Sequence, residues 1–291
     1  MGGAPLRGMR RLRFLAVGSG IVLVAVAAAV LAPWVSPHDP YRQAVGDRLI
    51  PPVWDTGGTW GHPLGTDPLG RDILSRIIYG ARVSISAGAL AVAVAMTFGV
   101  LMGLLAGYYG GAMDTVIDNL VNIMLAYPFL LLALAAIAVL GPSFGNMIVV
   151  LGLTGWPIYT RVVRAETLKY REREFVQAAR ALGVGSPRIL RVHVLPNLAN
   201  TVIVMASLEV ARMIILESFL SFLGLGIQPP TPSWGGMLGE GRVYMLTHWW
   251  LAAFPGLAIF VTTLGINLFG DGLRDVLDPY RVLTPAAARA E

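Results

Sequence analysis

The chain has 291 residues, of which 55% are hydrophobic and only 13% charged, with a mean hydropathy of +0.66. That balance excludes an ordinary soluble domain, and the lack of cysteine excludes disulfides and thiolate metal centres. A net charge of +5 would raise nucleic-acid binding in a soluble protein, but the basic residues lie beside long apolar runs, where they set topology, and no nucleic-acid partner is expected.

Uncharged runs cover residues 83–113, 119–160, 192–208, 218–239 and 243–270. One helical crossing of a bilayer needs about 20 apolar residues. The alternating segments of about ten residues that mark a transmembrane β-barrel are missing. The fold class is therefore an all-α polytopic membrane protein.

Residues 1–13 carry Arg7, Arg10, Arg11 and Arg13 and lead into an apolar run, 14–32. The run is longer than the ~7–15 residues of a signal-peptide core. No small-x-small cleavage site follows it in "APWVSPHDP", so it is expected to remain as a first transmembrane helix. Residues 33–82 form a polar connector. Its charges nearly cancel, which places it outside the cytoplasm. Within it, Ile73, Ile77 and Ile78 at helical spacing suggest an amphipathic lead-in to the second span.

Five more spans are expected at about 83–107, 115–140, 144–164, 199–223 and 248–270, forming a five-helix core over 83–271. Pro- and Gly-rich turns such as "GPSFGN" and "QPPTPSWGG" separate them. Between Arg161 and Arg191 there are eight Arg or Lys residues against Glu166, Glu172 and Glu174, so the connector 165–198 belongs to the cytoplasm. Six spans put the tails 1–13 and 272–291 on that same side.

"EFVQAARALGVGSPRILRVHVLPN" (174–197) sits inside this cytoplasmic connector. A good helix former ends at Gly183 and Gly185. Ser186 and Pro187 suit the start of a second short helix, and Pro196 marks the change of direction before the fifth span. The local chemistry reads as a two-helix elbow. The fifth span itself carries Glu209, Arg212 and Glu217. At 100° per residue they fall within a sector of about 140°. Charges in a membrane helix face other helices or water, so this sector is assigned to a translocation pathway; the alternatives are an i, i+3 pair of Glu209 and Arg212 that neutralises itself while the helix packs against another, and a structural Glu217.

Enzymatic readings find no support. The only lysine, Lys169, has no glycine-rich loop beside it, so a phosphate-binding P-loop is absent. The four histidines lack His-Glu-x-x-His spacing. His38 and His62 share the outer connector and offer at most a weak metal site, and none is expected. No catalytic residue is assigned. A secondary transporter would show repeated halves, and no internal repeat is evident.

The elbow resembles the cytoplasmic motif of ABC-importer permease subunits: Glu-Ala-Ala, three residues, Gly, nine residues, Ile, one residue, Leu-Pro. The matching positions are Gln177, Ala178, Ala179, Gly183, His193, Leu195 and Pro196, with both gaps preserved and with Gln177 and His193 as departures. "HPLGTDPLGRDILSRIIYGARVS", "SFLGLGIQPPTPSWGGML" and "NLFGDGLRDVLDP" look like the dipeptide and oligopeptide branch. The resemblance implies a type I ABC importer permease fold in a bacterial inner membrane, with those seven residues coupling the chain to its ATPase. It also implies a homologous second permease, two ATP-binding subunits that hold the ATP and magnesium, and an extracytoplasmic substrate-binding protein. No cofactor would be bound by this chain. Nickel chelates, glutathione or another small solute are alternative cargoes, and an ion-coupled secondary transporter is the alternative class.

Overall fold

The structure, a computed structural model, describes residues 4–277, with side chains from residue 14 onward. The expected tails therefore lie largely outside the described residues. Among the described residues no strand forms, and the helices are α1 (Ala4–Val30), α2 (Ala32–Val35), α3 (Ile73–Tyr109), α4 (Gly111–Ala126), α5 (Phe129–Leu140), α6 (Phe144–Arg171), α7 (Glu174–Ala181), α8 (Ser186–Ile189), α9 (Leu195–Phe222), α10 (Trp234–Gly241) and α11 (Trp250–Leu277).

By length and composition α3 and α11 can each cross a membrane, and α4 with α5 makes a third span if the bent pair is counted as one. The 28-residue helices α6 and α9 are about 42 Å long at 1.5 Å per residue. Their charges lie in the second half of each: from Arg161 to Arg171 in α6, and at Glu209, Arg212 and Glu217 in α9.

Two expected boundaries change. The helix that carries the expected second span starts ten residues before residue 83, at Ile73. Asp72 caps the helix by accepting from the Ser75 N–H at 2.8 Å, so the lead-in and the span form one 37-residue helix from Ile73. The third span is not continuous either. Pro128 forces Tyr127 into the extended region (φ −92°, ψ 137°), and α4 and α5 meet at a 92° bend.

The most extensive packing in the molecule is α3 on α6. Three glycines four residues apart, Gly99, Gly103 and Gly107, let the two backbones touch. A Cβ on Gly103 would stand 2.7 Å from Val163 Cβ and 2.9 Å from the Thr160 carbonyl oxygen. Thr160 Oγ1 donates to the Gly99 carbonyl across the seam at 3.1 Å. The main apolar core joins this pair to α5 and α9 through Ala91, Ala95, Ile137, Leu151, Tyr159 and Met213. Helix α1 lies along α11, and α9 contacts both α3 and α11.

The connector before α3 folds back on itself and caps one end of the bundle. Asp67 Oδ1 accepts from the Leu69 and Arg71 N–H groups at 2.8 and 3.0 Å, and Gly70 turns the chain at φ +73°. Trp250 Nε1, at the start of α11, donates to the Thr66 carbonyl at 3.3 Å.

Candidate functional site

Helix α7 ends at Gly183, which adopts φ +78°. Its N–H donates to the Arg180 carbonyl, and the Val184 N–H reaches back to the Ala179 carbonyl, both at 3.0 Å. This left-handed cap satisfies carbonyls that a helix end otherwise leaves bare. Nothing lies within 4 Å of where a Cβ would sit, so the backbone conformation, not crowding, selects glycine here.

The second arm of the elbow differs from expectation. Gly185 precedes α8 and Ser186 makes no side-chain cap. A π-helical turn, Leu190–Val194, then leads straight into α9. Pro196 stands in the first turn of α9, where a missing N–H costs nothing, and does not redirect the chain.

The elbow is rooted by its apolar underside. Val176, Ala179, Ile189, Val194 and Leu198 are buried with Leu104 and Tyr108 of α3 and Val163 of α6. Arg180 lies over the Tyr108 ring, 5.3 Å from its centroid. The outer surface is different: Gln177, Ala178, Gly183, Leu195 and Pro196 are exposed, and Leu182 is 84% exposed. The adjacent alanines thus separate. Ala178 is free for a partner, whereas Ala179 is small because it packs inside its own chain. Gln177 Nε2 donates to the Arg171 carbonyl at 3.0 Å. His193 is half-buried, its ring 6.3 Å from that of Phe175.

The three charged residues of α9 do not share one open face. Arg212 donates to Glu209 at 3.1 Å and is exposed. Glu217 is fully buried and accepts from Ser221 Oγ at 2.7 Å and Ser218 Oγ at 3.2 Å. Those hydroxyls supply the hydrogen bonds that a buried carboxyl requires. Between the ends of α6, α9 and α11 lies a cavity of about 580 Å³, lined by Tyr170, Asn200, Met205, Leu208 and Arg274 among others.

At the connector end a second polar cluster forms. Arg71 and Arg76 both bind Asp67 and both reach Glu240 of α10, at 2.9 and 2.8 Å. Asp67, Arg71 and Arg76 are all buried. Sequence spacing could not pair Arg76 with Glu240, which stands 164 positions away.

Residues 99–281 match the model of the family described as binding-protein-dependent transport system inner membrane component. The chain belongs to that family. Residues 6–52 of the permease also match the N-terminal transmembrane domain of oligopeptide transport permease C. The di/tripeptide transport system permease of Pseudomonas aeruginosa is 45% identical over 89% of this chain and 85% of its own. The dipeptide transport system permease of Escherichia coli K12 is 44% identical over 90% and 88%. A glutathione transport system permease of Escherichia coli O6:K15:H31 is 40% identical over 94% and 88%. Among solved structures, an inward-facing form of the MetNI methionine ABC transporter matches with a TM-score of 0.56 and 16% identity, covering 70% of this chain and 96% of that one. The permease therefore has the helical fold of an ABC importer permease and is an inner-membrane protein.

Proposed function

We propose that this permease forms half of the translocation pathway of an ATP-driven importer of dipeptides and short oligopeptides. The cargo class follows the names of its dipeptide-transporting relatives, which align over nearly nine-tenths of the chain. In this reading the chain crosses the membrane six times, the bent pair α4–α5 counting once. Both termini and the elbow face the cytoplasm, while the connector before α3 and the loop around Thr231 face a substrate-binding protein. A homologous permease completes the pathway, and two partner subunits hold ATP and magnesium.

One observation carries the coupling role: the elbow buries its underside firmly in α3 and α6 yet leaves Ala178, Leu182 and Gly183 uncovered. A rigid mount with a bare small-residue and apolar face is what a cleft on an ATPase needs in order to move the helices behind it. Glu209 and Arg212 supply the polar contact for a peptide's charged ends. Arg212 is exposed in mid-helix and faces water or a partner in preference to lipid.

The test uses the assembled transporter in proteoliposomes with a labelled dipeptide. Ala178→Arg and Gly183→Val should keep the permease in the membrane and lower ATP-dependent uptake by about tenfold or more, the factor given by roughly 1.4 kcal/mol of lost docking. Wild-type uptake by both variants removes the elbow from coupling. Glutathione uptake that outruns the dipeptide would instead favour the second cargo, which one relative's name supports.

A further inference from the structure

We propose that His38, His62 and Asp72 form a binding site for a divalent transition-metal cation, with Zn²⁺ as the best fit. This inference is independent of the transport reading. His38 follows α2, His62 lies in the middle of the connector, and Asp72 caps α3. The fold brings one ligand atom from each to within 4.8 Å of the others.

Both imidazoles turn Nδ1 toward the same carboxylate. His62 Nδ1 is 2.9 Å from Asp72 Oδ1, and His38 Nδ1 is 3.9 Å from Asp72 Oδ2. Tetrahedral zinc with ligands at about 2.0–2.1 Å holds neighbouring ligand atoms roughly 3.4 Å apart. The His62 contact is shorter and the His38 contact longer than that value, and they fall on different carboxylate oxygens, so a bound ion would draw the His38 ring inward and move the His62 ring outward.

Three further facts point to a ligand. His38 Nδ1 is buried and has no hydrogen-bond partner, an orphaned lone pair or proton aimed into the cluster. Asp72 is held in place by the Ser75 N–H and hydroxyl, at 2.8 and 2.7 Å on Oδ2, and the Ser75 hydroxyl also receives the His38 N–H at 3.0 Å. Such supporting bonds fix first ligands in good metal sites. The His38 and His62 rings stand 4.7 Å apart, and the His38 side chain is 36% exposed, which leaves an entrance and a fourth position for water. Two imidazole nitrogens and one carboxylate oxygen suit zinc or a neighbouring transition metal; calcium and magnesium prefer all-oxygen shells.

An ion held there would staple the segment after α2 and the connector to the first turn of α3. The experiment is a Co²⁺ titration of the full-length chain in detergent, purified without a polyhistidine tag, followed by Zn²⁺ displacement and metal analysis. The expected result is tetrahedral Co²⁺ absorption at about one equivalent per chain, abolished by Zn²⁺. His38→Ala, which removes no hydrogen bond from the fold, and His62→Ala should each weaken binding by about a hundredfold or more. Absence of Co²⁺ absorption and of retained Zn²⁺ at micromolar metal overturns the proposal. So does wild-type affinity in His38→Ala, which would place the ion elsewhere.

Discussion

Asp67→Asn probes how the connector is locked to the bundle. The substitution preserves volume and leaves Oδ1 able to accept from the Leu69 and Arg71 N–H groups. On the other side of the carboxyl it replaces an anionic oxygen with a donor amide facing Arg71 Nε and Arg76 Nη1. Two guanidinium groups only 5% and 2% exposed would then share a single carboxylate, Glu240. Breaking a buried pair by removing one charge costs about 3–5 kcal/mol, because the remaining charge stays desolvated. Glu240→Gln is the internal control. Its side chain is 33% exposed, water replaces part of what is lost, and the cost should be about 1 kcal/mol. The assay is reversible unfolding of the full-length chain in mixed micelles of increasing sodium dodecyl sulfate, followed by tryptophan fluorescence. Trp250, one of seven tryptophans that contribute to the signal, donates to the Thr66 carbonyl beside the network. A loss below about 1 kcal/mol for Asp67→Asn, or one no larger than that of Glu240→Gln, would refute the argument that burial sets the magnitude.

Two further outcomes follow from the helix contacts. Gly103→Val must push α3 off α6, since its Cβ would meet backbone as well as side chain, and should cost at least about 1–3 kcal/mol in the same unfolding assay; wild-type stability would mean the seam is not close-packed. The exchange Glu209→Arg with Arg212→Glu retains an i, i+3 pair worth only a few tenths of a kcal/mol, so assembly should survive while uptake rate or peptide preference changes; unchanged uptake would reduce the two residues to a simple ion pair.

Much of the elbow was legible before the fold. Gly183 is a helix-ending glycine, and the alanines, the Leu-Pro and their gaps stand in one continuous stretch whose chemistry is local. The division of labour between Ala178 and Ala179 was not legible. Adjacent residues on a helix point about 100° apart, and which one meets α3 depends on how α7 is laid against it. The surroundings of Glu217 were not legible for a similar reason. Its helical angle relative to Glu209 is fixed by sequence spacing, but burial against the hydroxyls of Ser218 and Ser221 is fixed by the neighbouring helices. The seam of Gly99, Gly103 and Gly107 was available as a four-residue spacing of small residues and passed unnoticed among apolar neighbours.

By itself, the sequence determined the helical class, the affinity for a membrane, the basic connector and the family motif. Apolar run length, charge bias and glycine conformation all act within a few residues of themselves. Only the tertiary structure decided that Arg71 and Arg76 share Asp67 with Glu240, that a proline folds one apolar run into a 92° bend, and that His38, His62 and Asp72 converge. The longest of those contacts, from Arg71 and Arg76 to Glu240, join residues 169 and 164 positions apart. The contacts to Glu240 exist because α10 and the connector are carried to the same end of the bundle by helix packing, which no window of the sequence contains.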